Sequence, residues 1–364
     1  MGNIVRYLIS DKEIVAYNIK LVKQKQRAQD LNRIANKSFR ESARTENALV
    51  EYNKELISLL QKESLKTTVK NHKDKSKAAL VVQIADTHFN ELVDIESNKY
   101  DFQVASKRLQ KYAHNVKRYA EFYGVKNILI AITGDLINSD RRLDEKLSMS
   151  TNRAKATFLG VHLLKYFILD LNQVANIQVC CVTGNESRVN EELGWVDIVA
   201  SDNYDFTIFE MLNLLLPDIH FIKGRALEVV VEINGKNLLV IHGHQLGKMD
   251  SNQVGRLISK YAARGVIINL IICGHLHETM IRDNIARSAS LVGSNAYSEK
   301  SLNLSGTAAQ NIYIFTNDGR HDVRIDLQET DKWKGYPINK ELEEYNAKSI
   351  GKTFEKQTIF KIII

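Results

Sequence analysis

Side chains that can bind metal ions stand directly after predicted buried strands in this sequence. Each of five short apolar runs rich in β-branched residues is typical of such a strand, and the runs cover 79–85, 127–133, 177–182, 237–241 and 266–273. The side chains that follow them are Asp86, His88, Asp135, Asn185, His242, His275 and His277. In α/β sheets, ligands bind where the carboxyl ends of strands meet. We therefore expect these residues to converge in space.

The chemistry of these seven side chains is that of a two-metal site. Their oxygen and imidazole nitrogen donors suit Mn, Fe, Zn, Co or Ni; we favour a pair of Mn²⁺ ions and keep Mg²⁺ as a further alternative. Alternate residues of an extended segment point the same way, so both members of Asp86-x-His88 and of His275-x-His277 can reach one cluster. Asp135 could bridge two ions through its two oxygens. Each motif alone is weak, but the ordered set predicts a two-metal phosphoesterase site.

The elements that must position these residues alternate along the chain. Helical patterns at about 100–123, 151–174, 203–216 and 251–264 lie between the strands, and the later sequence contains short strand patterns at 290–292, 312–315 and 323–325. This order predicts a layered α/β domain with a mixed sheet. We divide the chain into a basic helical extension and linker at 1–77, a catalytic domain at 78–330 and a C-terminal tail at 331–364.

The N-terminal quarter carries the whole basic excess of the protein. Residues 1–77 contain 17 Lys and Arg against nine Asp and Glu, an excess of +8, whereas the other 287 residues sum to −1. Such a patch attracts polyanions, so nucleic acid is a candidate partner, although basic residues also coat solvated helices. Residues 11–62 lack Pro and Gly and carry apolar residues at helical spacing. A long helix or helical hairpin is predicted there, and its apolar stripe makes a homodimer plausible.

Several classes of protein are disfavoured by composition. No run of about 18 apolar residues predicts a transmembrane helix, and the apolar run within MGNIVRYLISDKE is too short for a secretory signal. Cys180, Cys181 and Cys273 all lie inside apolar runs, so we expect reduced, buried thiols in a reducing compartment, the cytoplasm.

The ordered motifs Asp-x-His, Gly-Asp, Gly-Asn, His and Gly-His-x-His resemble those of the calcineurin-like metallophosphoesterase superfamily over about residues 78–327. The resemblance implies a four-layered α/β/β/α sandwich, here with an N-terminal helical extension. It also implies two metal sites that share Asp135: one would be completed by Asp86, His88 and His277, the other by Asn185, His242 and His275.

Two segments narrow the resemblance. Residues 242–247 are similar to the small phosphodiesterase branch, and residues 274–278 to that branch and to the Mre11/SbcD nuclease branch. The chain with its basic N-terminus also resembles phage-encoded metallophosphoesterases, which would place it in the cytoplasm of a bacterial host.

One position departs from the family pattern. The superfamily usually has His after the Asn, where it helps to protonate the leaving oxygen, but this chain has Glu186. Three interpretations stay open: a replacement acid whose pKa is raised by burial, a residue that holds a metal ligand in place, or a weakened or inactive enzyme. Two interpretations stay open for each of four nearby polar residues, which are His244, Arg188, Arg141 and Arg142. Each either contacts substrate or orients a ligand, or is an ordinary surface residue.

Three functions fit these features. The first is a phosphodiesterase or nuclease acting on nucleic acid, with DNA favoured, by attack of a metal-activated water. The second is a small-molecule or protein phosphoesterase, for which the basic N-terminus is only a scaffold. The third is a non-catalytic binding module that the metal stabilises.

Overall fold

The computed structural model describes most of the chain after residue 68. The described ranges are 69–73, 76–141, 143–189, 200–222, 227–247, 249–295, 298–299 and 306–337, and nearer the N-terminus the helical residues Val22, Lys23, Lys25, Gln26, Gln29 and Arg33. The rest of the predicted helical extension and the tail beyond 337 lie outside them. Contacts divide the chain into two compact units, Met1–Ser64 and Leu65–Ile364.

The first sheet has six strands and carries three of the five predicted ligand-bearing strand ends. Its strands, in spatial order, are β13 (Gly319–Asp326), β12 (Ala309–Thr316), β1 (Ala79–Ile84), β4 (Asn127–Ile132), β5 (Asn176–Cys181) and β6 (His220–Phe221). From β1 to β6 neighbouring strands run parallel, whereas β12 is antiparallel to both of its neighbours. β1 and β4 are buried almost throughout, as their continuous apolar runs predict.

The second sheet has five strands and carries the other two ligand-bearing ends. In spatial order the strands are β10 (Met280–Ile281), β11 (Ile285–Arg287), β9 (Ile268–Cys273), β8 (Lys236–Ile241) and β7 (Glu228–Ile233). β8 and β9 are parallel, so their carboxyl ends lie side by side. β7 and β8 form a hairpin through Asn234-Gly235, both with positive φ, as that turn sequence predicts. A separate two-stranded ribbon joins β2 (Val93–Asp94) and β3 (Lys99–Tyr100).

Helices cover the outer faces of the two sheets. They are α1 (Phe102–Phe122), α2 (Leu143–Leu147), α3 (Arg153–Leu171), α4 (Tyr204–Leu215) and α5 (Ser251–Ala262). α4 packs on β5 of the first sheet, and α3 packs between α1 and α4. The Tyr112 hydroxyl of α1 donates to the backbone carbonyls of Gln83 and Asn311 in that sheet. α5 packs on the second sheet through Val254. Side-chain carboxylates or amides cap α1, α3, α4 and α5 at Asp101, Asn152, Asn203 and Asp250.

The main core lies between the two sheets. Val81 and Leu129 from the first sheet meet Val240 and Ile272 from the second in one buried apolar cluster. The layers are therefore helix, sheet, sheet and helix, which confirms the predicted four-layered α/β/β/α sandwich. Because both sheets direct strand ends to the same side, residues from all five ends can form one site.

One predicted strand is wrong in a way that bears on the site. Residues 290–292 form no strand. Instead the Leu291 N–H and the Ser290 hydroxyl both donate to the Asp86 carbonyl, each at 3.1 Å. A run of three apolar or small residues predicts extension, but here the Leu291 N–H donates to a loop, and a single bond from the Ala309 N–H of β12 to the Ser290 carbonyl at 3.3 Å does not pair the segment as a strand. The segment thus holds the loop that carries Asp86.

Residues outside the predicted catalytic domain also touch it. Backbone N–H groups of Lys70 and His72, within the predicted linker, donate to side chains of Asn172 and Asn176 at 2.8 Å. At the other end, the Tyr336 ring is buried. The boundaries at 77 and 330 stay predictions, since these contacts lie on both outer sides of them. In the described part of the chain, no helix is both long and apolar enough to span a membrane.

Candidate metal centre

The backbone at the predicted ligands adopts a conformation that L-residues avoid. Five of the seven have positive φ, between 40° and 76°: Asp86, His88, Asp135, His275 and His277. Each such residue costs about 1–2 kcal/mol, and this strain persists only where the surroundings fix the backbone. Here the N–H groups of the first two donate to the carbonyls of Gly134 and Asp135, both at 3.1 Å. Neighbouring strand ends therefore lock each other in place.

Glycine is required at two positions beside the ligands. A Cβ at Gly184 would collide with the carboxylate of Asp135, and a Cβ at Gly274 with that of Asp86. Neither glycine needs a positive φ, so its function here is the close approach of backbone to carboxylate.

The first ligand group joins the two sheets. It contains Asp86, His88 and His277, whose donor atoms lie within 4.8 Å of one another. The Nε2 atoms of the two histidines are 3.2 Å apart, and His277 Nε2 is 3.5 Å from Asp86 Oδ1. One carboxylate oxygen and two imidazole nitrogens that converge in this way fit a divalent ion.

The second ligand group contains Asp135, His242 and His275, again within 4.8 Å. His242 Nε2 lies 3.0 Å from Asp135 Oδ2 and 3.0 Å from Asn185 Oδ1. Its Nδ1 donates to the carbonyl of Thr133 at 2.8 Å, which directs Nε2 towards the cluster. All seven predicted ligands therefore meet, in the two groups that the resemblance implies, with Asp135 nearest the second.

The charges of the cluster interact strongly. Burial alone would raise the pKa of Asp135 and lower that of His242, but their ion pair outweighs burial: it holds the Asp135 pKa well below its usual range and raises that of His242 to about 9. Burial, and then the charge of His242, lowers the pKa of His275 to about 4 and that of His244 to about 3. Neutral imidazoles are the form that binds metal ions.

Asp205 supports the site and was missed by sequence reasoning. Its fully buried carboxylate accepts hydrogen bonds from the N–H groups of Asp135 at 3.0 Å, Gly184 at 2.8 Å and Leu136 at 2.9 Å. It thereby joins the turns after β4 and β5. In sequence, an Asp in the first turn of a helix, two residues after the capping Asn203, cannot be told from an ordinary helix start.

Glu186 holds two of the predicted ligands. Its N–H donates to Asp135 Oδ1 at 2.7 Å, and its Oε1 accepts from Asn185 Nδ2 at 2.8 Å and from Arg141 Nη2 at 3.2 Å. Because the Asn185 amide nitrogen is engaged by Glu186, its oxygen is turned towards His242. This geometry favours the interpretation in which Glu186 keeps a metal ligand in place.

Two further predicted residues meet beside the second group. Arg188 Nη2 donates to His244 Nε2 at 2.8 Å. Arg188 Nε and His244 Nδ1 are buried and have no hydrogen-bond partner among the described residues. Arg153 steadies this segment, since its Nη2 donates to the carbonyls of Glu186 and Arg188 at 2.9 and 2.7 Å.

Arg141 lies at the site through Glu186, whereas Arg142 lies outside the described residues. A cavity of about 460 Å³ opens beside the ligands. Its lining includes residues of both ligand groups together with the segments around β2 and α2.

Comparisons with known proteins find only distant similarities among solved structures. No family model matches the sequence, and no curated protein matches it. Vps29 complexed with Zn²⁺ from Entamoeba histolytica has a TM-score of 0.31 and 14% identity, over 68% of this chain and 99% of that one. A conserved uncharacterised protein, a predicted phosphoesterase from Streptococcus pneumoniae, gives 0.32 and 12%, over 71% and 94%. The 5′-nucleotidase from Candida albicans gives 0.32 and 13%, over 78% of this chain and 58% of that one.

The site is defined by its own geometry: the architecture and the meeting of the seven ligands agree with the resemblance to the calcineurin-like metallophosphoesterases.

Proposed function

We propose that the protein is a two-metal-dependent phosphoesterase that acts on phosphodiesters. The proposal is carried by two groups of His and carboxylate side chains that converge from strand ends of the two sheets. Within each group, the possible ligand atoms lie within 4.8 Å of one another. When bound, the two cations would supply positive charge that polarises a phosphoryl oxygen and lowers the pKa of water. Mn²⁺ stays the favoured metal, with Fe, Zn, Co, Ni and Mg as alternatives; carboxylate, amide and imidazole donors suit several of them.

Arg188 and His244 would contact the substrate beside the metal ions. Arg188 presents a partly buried guanidinium beside Asp135 and the second ligand group, where it would bind a phosphoryl oxygen of the substrate. The neutral His244 ring, fixed by Arg188, would donate from Nδ1. Both groups would stabilise charge that develops on the phosphoryl oxygens.

Glu186 bears on which leaving groups the site favours. Its Oε1 is engaged as an acceptor, from the Asn185 amide and from the Arg141 guanidinium. A leaving oxygen that needs a proton would receive little help from that oxygen, so esters with a good leaving group are favoured over simple alkyl esters. The preference for diesters is supported by the resemblance of residues 242–247 to the small phosphodiesterase branch.

Turnover of bis-p-nitrophenyl phosphate, p-nitrophenyl phosphate and an alkyl monoester with each metal tests this proposal. We expect metal-dependent hydrolysis of the diester, weaker monoesterase activity, and loss of both in Asp135→Asn. A folded, metal-loaded protein that hydrolyses none of these esters would instead favour a binding module.

Nucleic acid is the second candidate substrate. Its support is the +8 excess of residues 1–77, most of which lie outside the described residues. The test is Mn²⁺-dependent cleavage of a DNA oligomer, absent in Asp135→Asn, together with binding that weakens as salt rises. Salt-independent binding, or no cleavage, would leave small phosphodiesters as the substrate.

A homodimer through the N-terminal helices stays a separate proposal. Sedimentation of the full-length protein tests it: a monomer at micromolar concentration would contradict it.

A further inference from the structure

The cavity beside the metal ligands is acidic. Beyond the ligands themselves, four carboxylate side chains line it: Glu91, Asp94, Glu145 and Glu186. In the ranges that the structure describes, neither Lys nor Arg is among its lining residues. A carboxylate-lined wall repels an anion most strongly where water is partly excluded, because the effective dielectric constant is lower there.

Neighbouring cations offset only part of this charge. Arg141 pairs with Glu186 at 3.2 Å, and Lys99 lies 3.5 Å from Asp94, with both side chains of the latter pair more than 70% exposed. Glu91 is only 5% exposed and accepts from the Asn295 amide at 2.7 Å. That partner is neutral, so it satisfies one oxygen of Glu91 without adding a positive charge.

An apolar wall stands in the same cavity. Leu92, Val93 and Ile95 line it, on the segment that forms β2. Amide groups of Asn138 and Asn295 lie among the polar residues of the lining. An apolar face beside acceptor oxygens and amides suits a ring system that carries hydrogen-bond donors, and about 460 Å³ is room for a group of small-ligand size.

We infer that this cavity receives one uncharged, nucleoside-sized substituent of a phosphodiester substrate and disfavours a substituent that bears a further phosphate. The inference rests on the proposed phosphoesterase function. It narrows the substrate from polymers, in which each internal nucleoside carries a second phosphate, towards small diesters with a single phosphate.

The test uses the full-length, metal-loaded protein and two substrates that differ by one phosphate. They are the p-nitrophenyl ester of thymidine 5′-phosphate and the same ester with a 3′-phosphate. Water adds to the 5′ phosphorus, the bond to the p-nitrophenyl oxygen breaks, and p-nitrophenolate and a proton are released beside the nucleotide. We expect kcat/KM to be at least about tenfold lower for the 3′-phosphorylated ester, mainly through KM, a difference of about 1.4 kcal/mol.

Variants locate the discrimination in the cavity. The ratio of kcat/KM for the ester without a 3′-phosphate to that for the ester with one should fall in Asp94→Asn, at an exposed position. It should fall further, by about threefold or more, when Asp94→Asn is combined with Glu91→Gln. Glu96→Gln is the matched control, because Glu96 is an exposed residue of the same segment that does not line the cavity. Calorimetric binding of thymidine 5′-phosphate and thymidine 3′,5′-bisphosphate gives a readout without the chromogenic reaction, with the bisphosphate about tenfold weaker.

The outcomes separate the two proposals. If the two esters react equally, or the 3′-phosphorylated ester reacts faster, the inference is overturned while the phosphoesterase function stands. The inference is also overturned if Glu96→Gln reduces the discrimination between the two esters as much as Asp94→Asn does. The discrimination would then come from the net charge of the protein and not from the cavity. If neither ester nor bis-p-nitrophenyl phosphate is hydrolysed with any metal, both proposals fail.

Discussion

Replacement of Glu186 separates a positioning residue from a proton donor. In Glu186→Ala, the hydrogen bonds from Asn185 and Arg141 are lost. Bonds to a charged group are worth about 1.5–3 kcal/mol, but this side chain is 25% exposed, so we discount the loss to about 1–2 kcal/mol. Since the Asn185 amide would then be free to turn, affinity for the second metal should fall by about 5–30-fold.

Glu186→Gln distinguishes a positioning residue from a proton donor. The Gln carbonyl oxygen can still accept from Asn185 and Arg141, so metal affinity should fall by only about 2–5-fold, as expected for neutral in place of charge-assisted bonds. A general acid, by contrast, would be lost equally in both variants and would cost about 10²–10⁴ in kcat.

The assay combines metal titration by calorimetry with kcat for esters of graded leaving-group pKa. We expect Gln to rescue most of the metal affinity and to leave the dependence on leaving-group pKa unchanged. Glu121→Gln, an exposed position on α1, is the control for loss of a surface charge. The positioning role is refuted if Glu186→Gln lowers kcat as much as Glu186→Ala does and if the loss is greatest for esters with poor leaving groups.

Other predictions concern metals, protons and the buried support. Saturating Mn²⁺ or Zn²⁺ at about 100 times Kd should stabilise the protein by about 2.7 kcal/mol against chelator in denaturant unfolding, and Asp135→Asn should remove most of this gain. In the metal-free protein the pKa of His242 is raised from 6.5 to about 9, so its pairing with Asp135 stabilises the fold fully below pH 6.5 and is lost as pH rises through 9. Calorimetry in buffers of different ionisation enthalpy should therefore detect about one proton released from His242 when the second site is filled at pH 7; no buffer dependence would contradict this. Asp205→Asn should destabilise the fold by about 2–4 kcal/mol, because an amide cannot accept from all three N–H groups; unchanged unfolding would show that the network is dispensable.

The candidate ligands could be located in the sequence because each follows an apolar run typical of a buried strand. Strand 127–133 was expected and Asn127–Ile132 is observed, so the position of Asp135 at its end was fixed by local pattern. The alternation of strands and helices predicted a layered α/β domain with a mixed sheet, and the four layers were implied by the resemblance. Local pattern failed at residues 290–292, whose hydrogen-bond partner is the distant Asp86 carbonyl.

The supporting residues were not predictable, because their hydrogen-bond partners cannot be identified from the local sequence pattern. Asp205 acts on turns about 20 and 70 positions away, and nothing in its own sequence neighbourhood distinguishes it from a helix-start acid. Glu186 had three open interpretations, because its role depends on whether Arg141 and the Asn185 amide reach its carboxylate. The structure supplies those two contacts.

The support around the ligands also bears on how the metals act on the fold. Five strained ligand residues would cost several kcal/mol if the backbone were free. Yet the His275 N–H donates to both oxygens of Asp86, at 3.1 and 3.0 Å, and the Gly274 N–H donates to the His242 carbonyl at 2.8 Å. The bonds from His275 to Asp86 link the two sheets, and the bond from Gly274 to His242 joins the ends of β9 and β8 within the second sheet. The donors are thus held near one another before the metals bind, and little binding energy is spent on ordering them. Metal should therefore raise the midpoint of unfolding by simple linkage, without creating the fold, in contrast to small domains that are unfolded without their ion.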